Sequence, residues 1–198
     1  MNLQTAERLR RAARQAFADL GWSATRVEDI VGRAGLSHGT FYTYFENKAA
    51  VLADLVRTSQ AEVNALADLP WGQDEVRAEL EMAIGGFLDF YSRDLDIMRT
   101  WLDAARDEPA LAELLLSSRA MFVAHVVEHF ETELEAVGRR DVPGLRAVAS
   151  ALVAMVEQSA YCWLVLDEPY QRDQAVEALV VIWESAFNAL AAGEPAAH

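Results

Sequence analysis

Between Ser37 and Lys48 the chain reads SHGTFYTYFENK, side chains better suited to a phosphate-lined groove than to open solvent. Phe41 and Phe45 stand four apart and face inward together on a helix, which leaves His38, Gly39, Thr40, Tyr42 and Tyr44 outward or toward one end. An ordinary surface helix carries Glu, Lys and Ala there. This one presents small donors, hydroxyls and aromatic rings, and Gly39 lets a backbone or a phosphate approach closely. Lys48 follows Asn47, an N-cap type, so its ammonium is expected beside free N–H groups, an arrangement that favours a DNA phosphate. A second run, HVVEH at 125–129, has the H-x-x-E-H spacing of a zinc hydrolase, with two imidazoles four apart on one helical face. Its other readings are a satisfied or exposed histidine pair, or one histidine reaching a pocket. No third ligand is recognisable downstream, and such short motifs recur by chance, so no metal is expected. Cys162 lies in an apolar run without a neighbouring base and reads as an inert packed residue. With no Gly-rich phosphate loop, no G-x-S-x-G and no cysteine cluster, no cofactor is expected.

The elements that must position the first run are legible around it. Thr25 and Glu28 form a T-x-x-E capping box. Val27, Ile30, Val31 and Ala34 follow at helical spacing, so one face packs. Gly35 stands where a chain leaving a helix needs positive φ, Leu36 pins the turn, and Ser37 caps the next helix. Two short helices joined by a Gly-containing turn make a helix-turn-helix, whose second member can enter a DNA major groove. Before it, residues 7–20 keep a 3.6-residue period through Leu9, Ala12, Ala13, Ala16, Phe17 and Leu20, Gly21 stops the helix, and Trp22 covers the small core. Arg8, Arg11 and Arg14 lie off that stripe. For Arg8 and Arg11 a solvated face and phosphate contact stand as equal readings.

This stretch resembles the DNA-binding segment of the TetR family of bacterial transcriptional regulators. Thr25, Val27, Ile30, Ala34, Gly35, Ser37, Gly39, Thr40, Phe41, Tyr42, Phe45 and Lys48 match the family pattern. Val31, Leu36 and Tyr44 depart from it, where Ala, Val and His are usual. No segment shows sustained strand alternation, so the chain reads as all-α, and the tail 191–198 reads as disordered. The resemblance implies a three-helix DNA-binding head at residues 1–47, joined by a continuous helix to a ligand-binding and dimerisation body at 48–190. It implies DNA contacts from Thr25, Arg26, Ser37, His38, Gly39, Thr40, Tyr42, Tyr44 and Lys48. It also implies a small-molecule pocket in the body. Candidate lining residues are Met82, Phe87, Phe90, Met98, Trp101, Met121, Phe122 and Met155, with His125, Gln158 and Tyr161 to fix a largely apolar ligand.

The rest of the chain reads as helices. Residues 47–67 run without a breaker, with Val51, Leu52, Leu55, Val56 and Val63 on the buried side. Leu69–Asp74 (LPWGQD) is a linker, followed by helices at 75–93, 94–107 with Asp94 as cap, 109 toward Gly138, about 143–166, and 172–190. Gly85 and Gly86 inside one of them suit close packing or a kink. The last two helices are apolar on more than one face, through Val148, Leu152, Val153, Met155, Val156, Tyr161 and Trp163, then Leu179, Val180, Val181, Ile182, Trp183 and Phe187. They therefore need cover on two sides. A second copy supplies it, as the resemblance implies with a four-helix interface; a central helix pair within a monomer is the other reading.

Charge separates the two ends. The 198 residues carry a net −14, with 53% hydrophobic and 24% charged residues, a globular composition. Residues 1–60 hold eight Lys and Arg against six acids, a balance of +2, and the remainder holds nine against 25, a balance of −16. An acidic body with a mildly basic head directs the N-terminal end toward phosphates. No apolar run of membrane-spanning length and no secretory leader are read, and a lone cysteine suits a reducing cytoplasm. The expectation is a cytoplasmic homodimer that binds a palindromic double-stranded DNA operator, a repressor answering to a small-molecule effector. A zinc-dependent hydrolase using the HVVEH helix, and a helical ligand-binding protein without DNA function, are the alternatives.

Overall fold

The computed structural model describes residues 3–67 and 76–193. Among them are nine helices and no strand: α1 (Leu3–Ala24), α2 (Val27–Ala34), α3 (His38–Tyr44), α4 (Lys48–Ala67), α5 (Val76–Arg93), α6 (Leu95–Ala104), α7 (Pro109–Ala136), α8 (Leu145–Val165) and α9 (Arg172–Ala192). The all-α expectation holds. The linker read at Leu69–Asp74 and the tail residues 194–198 lie outside the described residues, as does the side chain of Val63. Tail residues 191 and 192 extend α9, which Gly193 ends in the left-handed conformation. The chain divides into two compact units: Met1–Ala61 with Arg93–Ser117, and Glu62–Ser92 with Ser118–His198.

In the first unit, Leu9, Ala12, Ala13, Ala16 and Phe17 line the buried side of α1, against α2 and α6. The helix begins at Leu3, earlier than its apolar period suggested. Gly21, at φ 76 and ψ 168, breaks it as expected, yet helical hydrogen bonding resumes through Ala24. Leu20, read as inward, is 42% exposed because the kink ends the buried stripe one turn sooner. Trp22 is buried and tilted against Phe17 at 5.6 Å. Val51, Leu52, Leu55 and Val56 form the buried stripe of α4, and Trp101 of α6 is enclosed with its indole N–H donated to the Leu111 carbonyl at 3.0 Å. Pro109 opens α7 as its fixed φ favours.

A buried carboxylate ties three of these helices together. Asp94 is 5% exposed. Its oxygens accept the Ser59 hydroxyl from α4, the Arg14 guanidinium from α1 at 2.9 Å, and Arg93 at 3.1 Å. Arg14 also grips Asp96 with two bonds of 2.7 and 2.6 Å. The cap read for Asp94 therefore operates differently: only its backbone carbonyl serves α6, accepting from Met98 N–H, while its side chain makes no cap bond. Burial pushes this carboxyl up, but the bonds from Ser59, Arg93 and Arg14 outweigh it and hold it below the usual range.

In the second unit α8 packs on α9, and Phe130 of α7 meets Trp183 and Phe187 of α9 edge-on at 6.2 and 5.4 Å. Arg77 reaches Glu177 and Glu184 at 2.5 and 2.7 Å, and Arg172 holds Asp89 with bonds of 2.5 and 2.7 Å, so α5 and α9 run antiparallel. Gly85 makes room for that clamp, since a Cβ there would stand 2.7 Å from the Arg172 Nη2. Arg119 of α7 pairs with Glu157 of α8 and donates to the Ser150 carbonyl at 2.8 Å. The membrane expectation needs correction. By length and composition α7, α8 and α9 are each long and apolar enough to cross a membrane, and only 11%, 28% and 28% of their apolar windows are buried within this chain. Charges spaced along them had hidden the runs from a residue-by-residue reading.

Candidate nucleic-acid interface

The turn between α2 and α3 forms much as its residues dictate. Ile30, Val31 and Ala34 are buried, and Gly35 adopts φ 62 and ψ 41. Its N–H bonds the Gly32 carbonyl, and the Leu36 N–H bonds Val31 at 3.0 Å. Ser37 caps α3, its Oγ accepting the Thr40 N–H at 3.1 Å and lying 2.9 Å from the Thr40 hydroxyl. Phe41 is fully enclosed and Phe45, just past the helix, is buried 5.9 Å from it. Those two rings orient the helix, and each such side chain contributes roughly 2–3 kcal/mol by leaving water.

The opposite face of α3 is left outward. His38, Gly39, Tyr42 and Thr43 are exposed, and Ser37 with them, while Thr40 and Tyr44 are half-buried. Tyr42 is 57% exposed and stands edge-on to Phe41, which props the ring. Thr43 is the member the sequence reading passed over. It bonds back to the Gly39 carbonyl at 2.9 Å on the same exposed face, and its spacing of three from Thr40 was the available signal.

Thr25 and Lys48, at the two ends of this motif, are placed otherwise than their types suggested. The capping box is shifted by one residue: Asp29 accepts the Arg26 N–H at 2.8 Å, and Thr25, only 1% exposed, donates its hydroxyl to the Gly21 and Ala16 carbonyls at 2.7 and 3.2 Å. Thr25 thus has no side-chain face for DNA, whereas Arg26 is exposed. Lys48, read as standing beside free N–H groups to hold a DNA phosphate, donates within the chain to the carbonyls of Trp22 and Thr25 at 2.7 and 2.9 Å, with its ammonium 4.2 Å from the Trp22 ring centre. Asn47 does cap α4, accepting from Ala50 N–H at 2.8 Å.

Most of the head's cations are likewise engaged within it. Arg8 donates to the Ala34 carbonyl at 2.6 Å, closing the end of α2. Arg10 pairs with Asp54, Arg14 with Asp94 and Asp96, and Arg33 with Asp19. The tie from Arg14 to Asp94 was invisible in the sequence because its partners lie 80 residues apart. The polar Ser59, on the buried stripe of α4, was the one hint that a buried partner had to exist.

The residues proposed to line a ligand pocket are dispersed. Met98 and Trp101 belong to the first unit and are buried, while Met82, Phe87, Phe90, Met121, Phe122, His125, Met155, Gln158 and Tyr161 belong to the second. Phe87, Phe90 and Phe122 come together, with ring centres 5.9 and 6.2 Å apart. Met82 is 55% exposed, and Gln158 is exposed with its amide on Cys162 at 3.4 Å. A crevice among Arg14, Phe17, Leu52, Leu55, Asp96, Ile97 and Thr100 has no room for a water-sized molecule. His125 and His129 are half-buried on α7, and burial pushes the His129 imidazole down to about 4. Among the described residues, no group of three or more His, Cys, Asp or Glu is placed to hold a metal ion.

Comparison with known proteins agrees with this geometry. Residues 9–55 match the profile described as bacterial regulatory proteins, tetR family. The chain is 28% identical over 172 residues to the HTH-type transcriptional activator FasR of Mycolicibacterium smegmatis, spanning 85% of this chain and 76% of the relative. It is 30% identical over 131 residues to the HTH-type transcriptional regulator BetI of Escherichia coli, spanning 62% and 66%. Among solved structures, a putative TetR-family transcriptional regulator from Syntrophomonas wolfei superposes with a TM-score of 0.77 over 100% of both chains at 16% identity. A putative transcriptional regulator from Pseudomonas aeruginosa gives 0.78 at 20% identity, covering 96% and 91%.

Proposed function

Because this chain belongs to the TetR family and is a DNA-binding transcriptional regulator, we propose that it grips a palindromic operator as a homodimer and releases or reshapes that grip when a small, largely apolar molecule binds its second unit. The observation that carries the DNA part is α3: an inward Phe41 and Phe45 and an outward His38, Gly39, Tyr42 and Thr43. In each protomer α3 enters a major groove. His38, Gly39 and Thr40 approach base edges, while Ser37, Tyr42, Tyr44 and Arg26 meet the phosphates that set register. Thr25 and Lys48 support this face from behind.

The dimer reading rests on α8 and α9, apolar helices with only 28% of their windows covered by their own chain. Val181 and Ile182 lie 45% and 47% exposed on α9, in the part of the chain expected to meet a second copy. A two-fold dimer then presents two recognition helices to half-sites one helical turn or a multiple apart. An effector changes that spacing only through different affinities for the two arrangements, a coupling typically worth about 1–3 kcal/mol. The protein works in the cytoplasm, where the chromosome is, and performs no catalysis.

The family resemblance implies a repressor, but the relative spanning 85% of this chain is named an activator. Footprinting the DNA upstream of the protein's own gene, joined to a reporter of that promoter, tests the reading and its sign together. A symmetric protected site that responds to hydrophobic small molecules is expected. Uniform cleavage at every protein concentration would end the DNA-binding reading.

A further inference from the structure

Resting on the reading that α3 enters the major groove of duplex DNA, we propose that Gly39 and Thr43 together seat the 5-methyl group of one thymine in each operator half-site. The two residues stand one helical turn apart and so share a face of α3. Both are exposed. The Thr43 hydroxyl donates to the Gly39 carbonyl at 2.9 Å. A hydroxyl has one hydrogen to give. Here it is turned back onto the helix, which leaves the methyl as the branch not held to the backbone.

Nothing inside the chain calls for a glycine at this place. Gly39 lies within a helix and not in a left-handed turn, and among the described residues a Cβ built there would meet only the Ser37 Oγ, at an ordinary 3.8 Å. A helical glycine is less stable than alanine, because its backbone loses more freedom on folding. The space over Gly39 therefore serves something from outside. In the major groove, thymine alone among the bases presents a methyl, and a threonine methyl is an apolar surface that meets it. The neighbouring row of the same helix, His38 and Tyr42, carries the polar side chains. Bare backbone at Gly39 and a methyl at Thr43 make the apolar strip beside them.

The test removes the methyl from either side. The probe is a duplex enriched from a random-sequence pool by the wild-type protein, with each thymine of one half-site replaced in turn by deoxyuridine, which lacks only that methyl. Affinity is followed by fluorescence anisotropy. At one position deoxyuridine is expected to weaken the wild type about fourfold, the worth of one methyl-sized group leaving water. Thr43→Ser keeps the hydroxyl and deletes the methyl, so it should weaken binding to the parent duplex by a similar factor and no longer distinguish the two bases there. Thr43→Val keeps a methyl without the hydroxyl and should still distinguish them. Gly39→Ala should match the parent or exceed it in urea unfolding, yet bind the parent duplex more weakly by at least the same factor, because its Cβ fills the seat. The proposal is overturned by a wild type indifferent to every replacement, by an enriched half-site without a fixed thymine, or by Thr43→Ser that still discriminates. It is overturned equally by Thr43→Val that does not, or by Gly39→Ala that is less stable than the parent or binds as tightly. A wild type that enriches no duplex overturns the DNA-binding reading itself.

Discussion

Tyr42 and Lys48 sit in one short stretch and serve it in opposite directions. Tyr42 is 57% exposed and braced on Phe41, while Lys48 turns inward onto two carbonyls. Tyr42→Ala is therefore expected to weaken DNA binding about tenfold, near the low end of the roughly 1.5–3 kcal/mol of one hydrogen bond to a charged group, with the proposed dimer intact by analytical ultracentrifugation. His129 makes a different prediction. Burial holds its imidazole near 4 against an ordinary 6.5. Between those values the unfolded chain binds more protons than the folded one, so stability falls as pH drops through that window. Urea midpoints measured from pH 7 downward should decline, and less steeply in His129→Gln.

The helices themselves were legible because apolar period, glycine and capping types agree at each boundary. Gly35 is the clearest case. Its place after Ala34 calls for positive φ, and it adopts φ 62. Gly35→Ala should cost about 1–2 kcal/mol in urea unfolding, since a Cβ is strained in that conformation. What stayed hidden were the bonds between distant elements. Thr25 looked like a cap for its own helix, but tertiary burial recruited its hydroxyl to α1 and passed the cap to Asp29. Asp94 looked like a cap as well, and became the acceptor where α1, α4 and α6 meet. Neither outcome follows from local spacing, because the deciding partner lies elsewhere in the chain. Removing the Asp94 carboxylate leaves Ser59 and Arg14 without their shared acceptor. Asp94→Ala should therefore destabilise by about 1–3 kcal/mol, read by thermal unfolding. The pocket residues were the least legible, since composition names large side chains without saying which of them meet.

At the scale of the whole molecule, charge and apolar surface point to one mode of action. Arg8, Arg10, Arg14, Arg33 and Lys48 are engaged internally. Of the eight basic residues in positions 1–60, Arg11, Arg26 and Arg57 are left with no side-chain partner among the described residues. In the proposed dimer, phosphate contact by all three on each head predicts a salt slope of about −5. On the proposed reading, so small a footprint needs two heads acting together to hold a specific site. Ile182→Glu, which sets a charge on the exposed apolar face of α9, should yield monomers by ultracentrifugation and cost at least about tenfold in DNA affinity, since it halves the contacts one complex can make. Selection from a random-sequence duplex pool, run with wild type and Tyr42→Ala side by side, bears on all of this at once. An inverted repeat enriched by the wild type, with half-sites about one helical turn or a multiple apart, and little enrichment by the variant is the expected result. Equal enrichment by both proteins, or no enriched sequence at all, would contradict it.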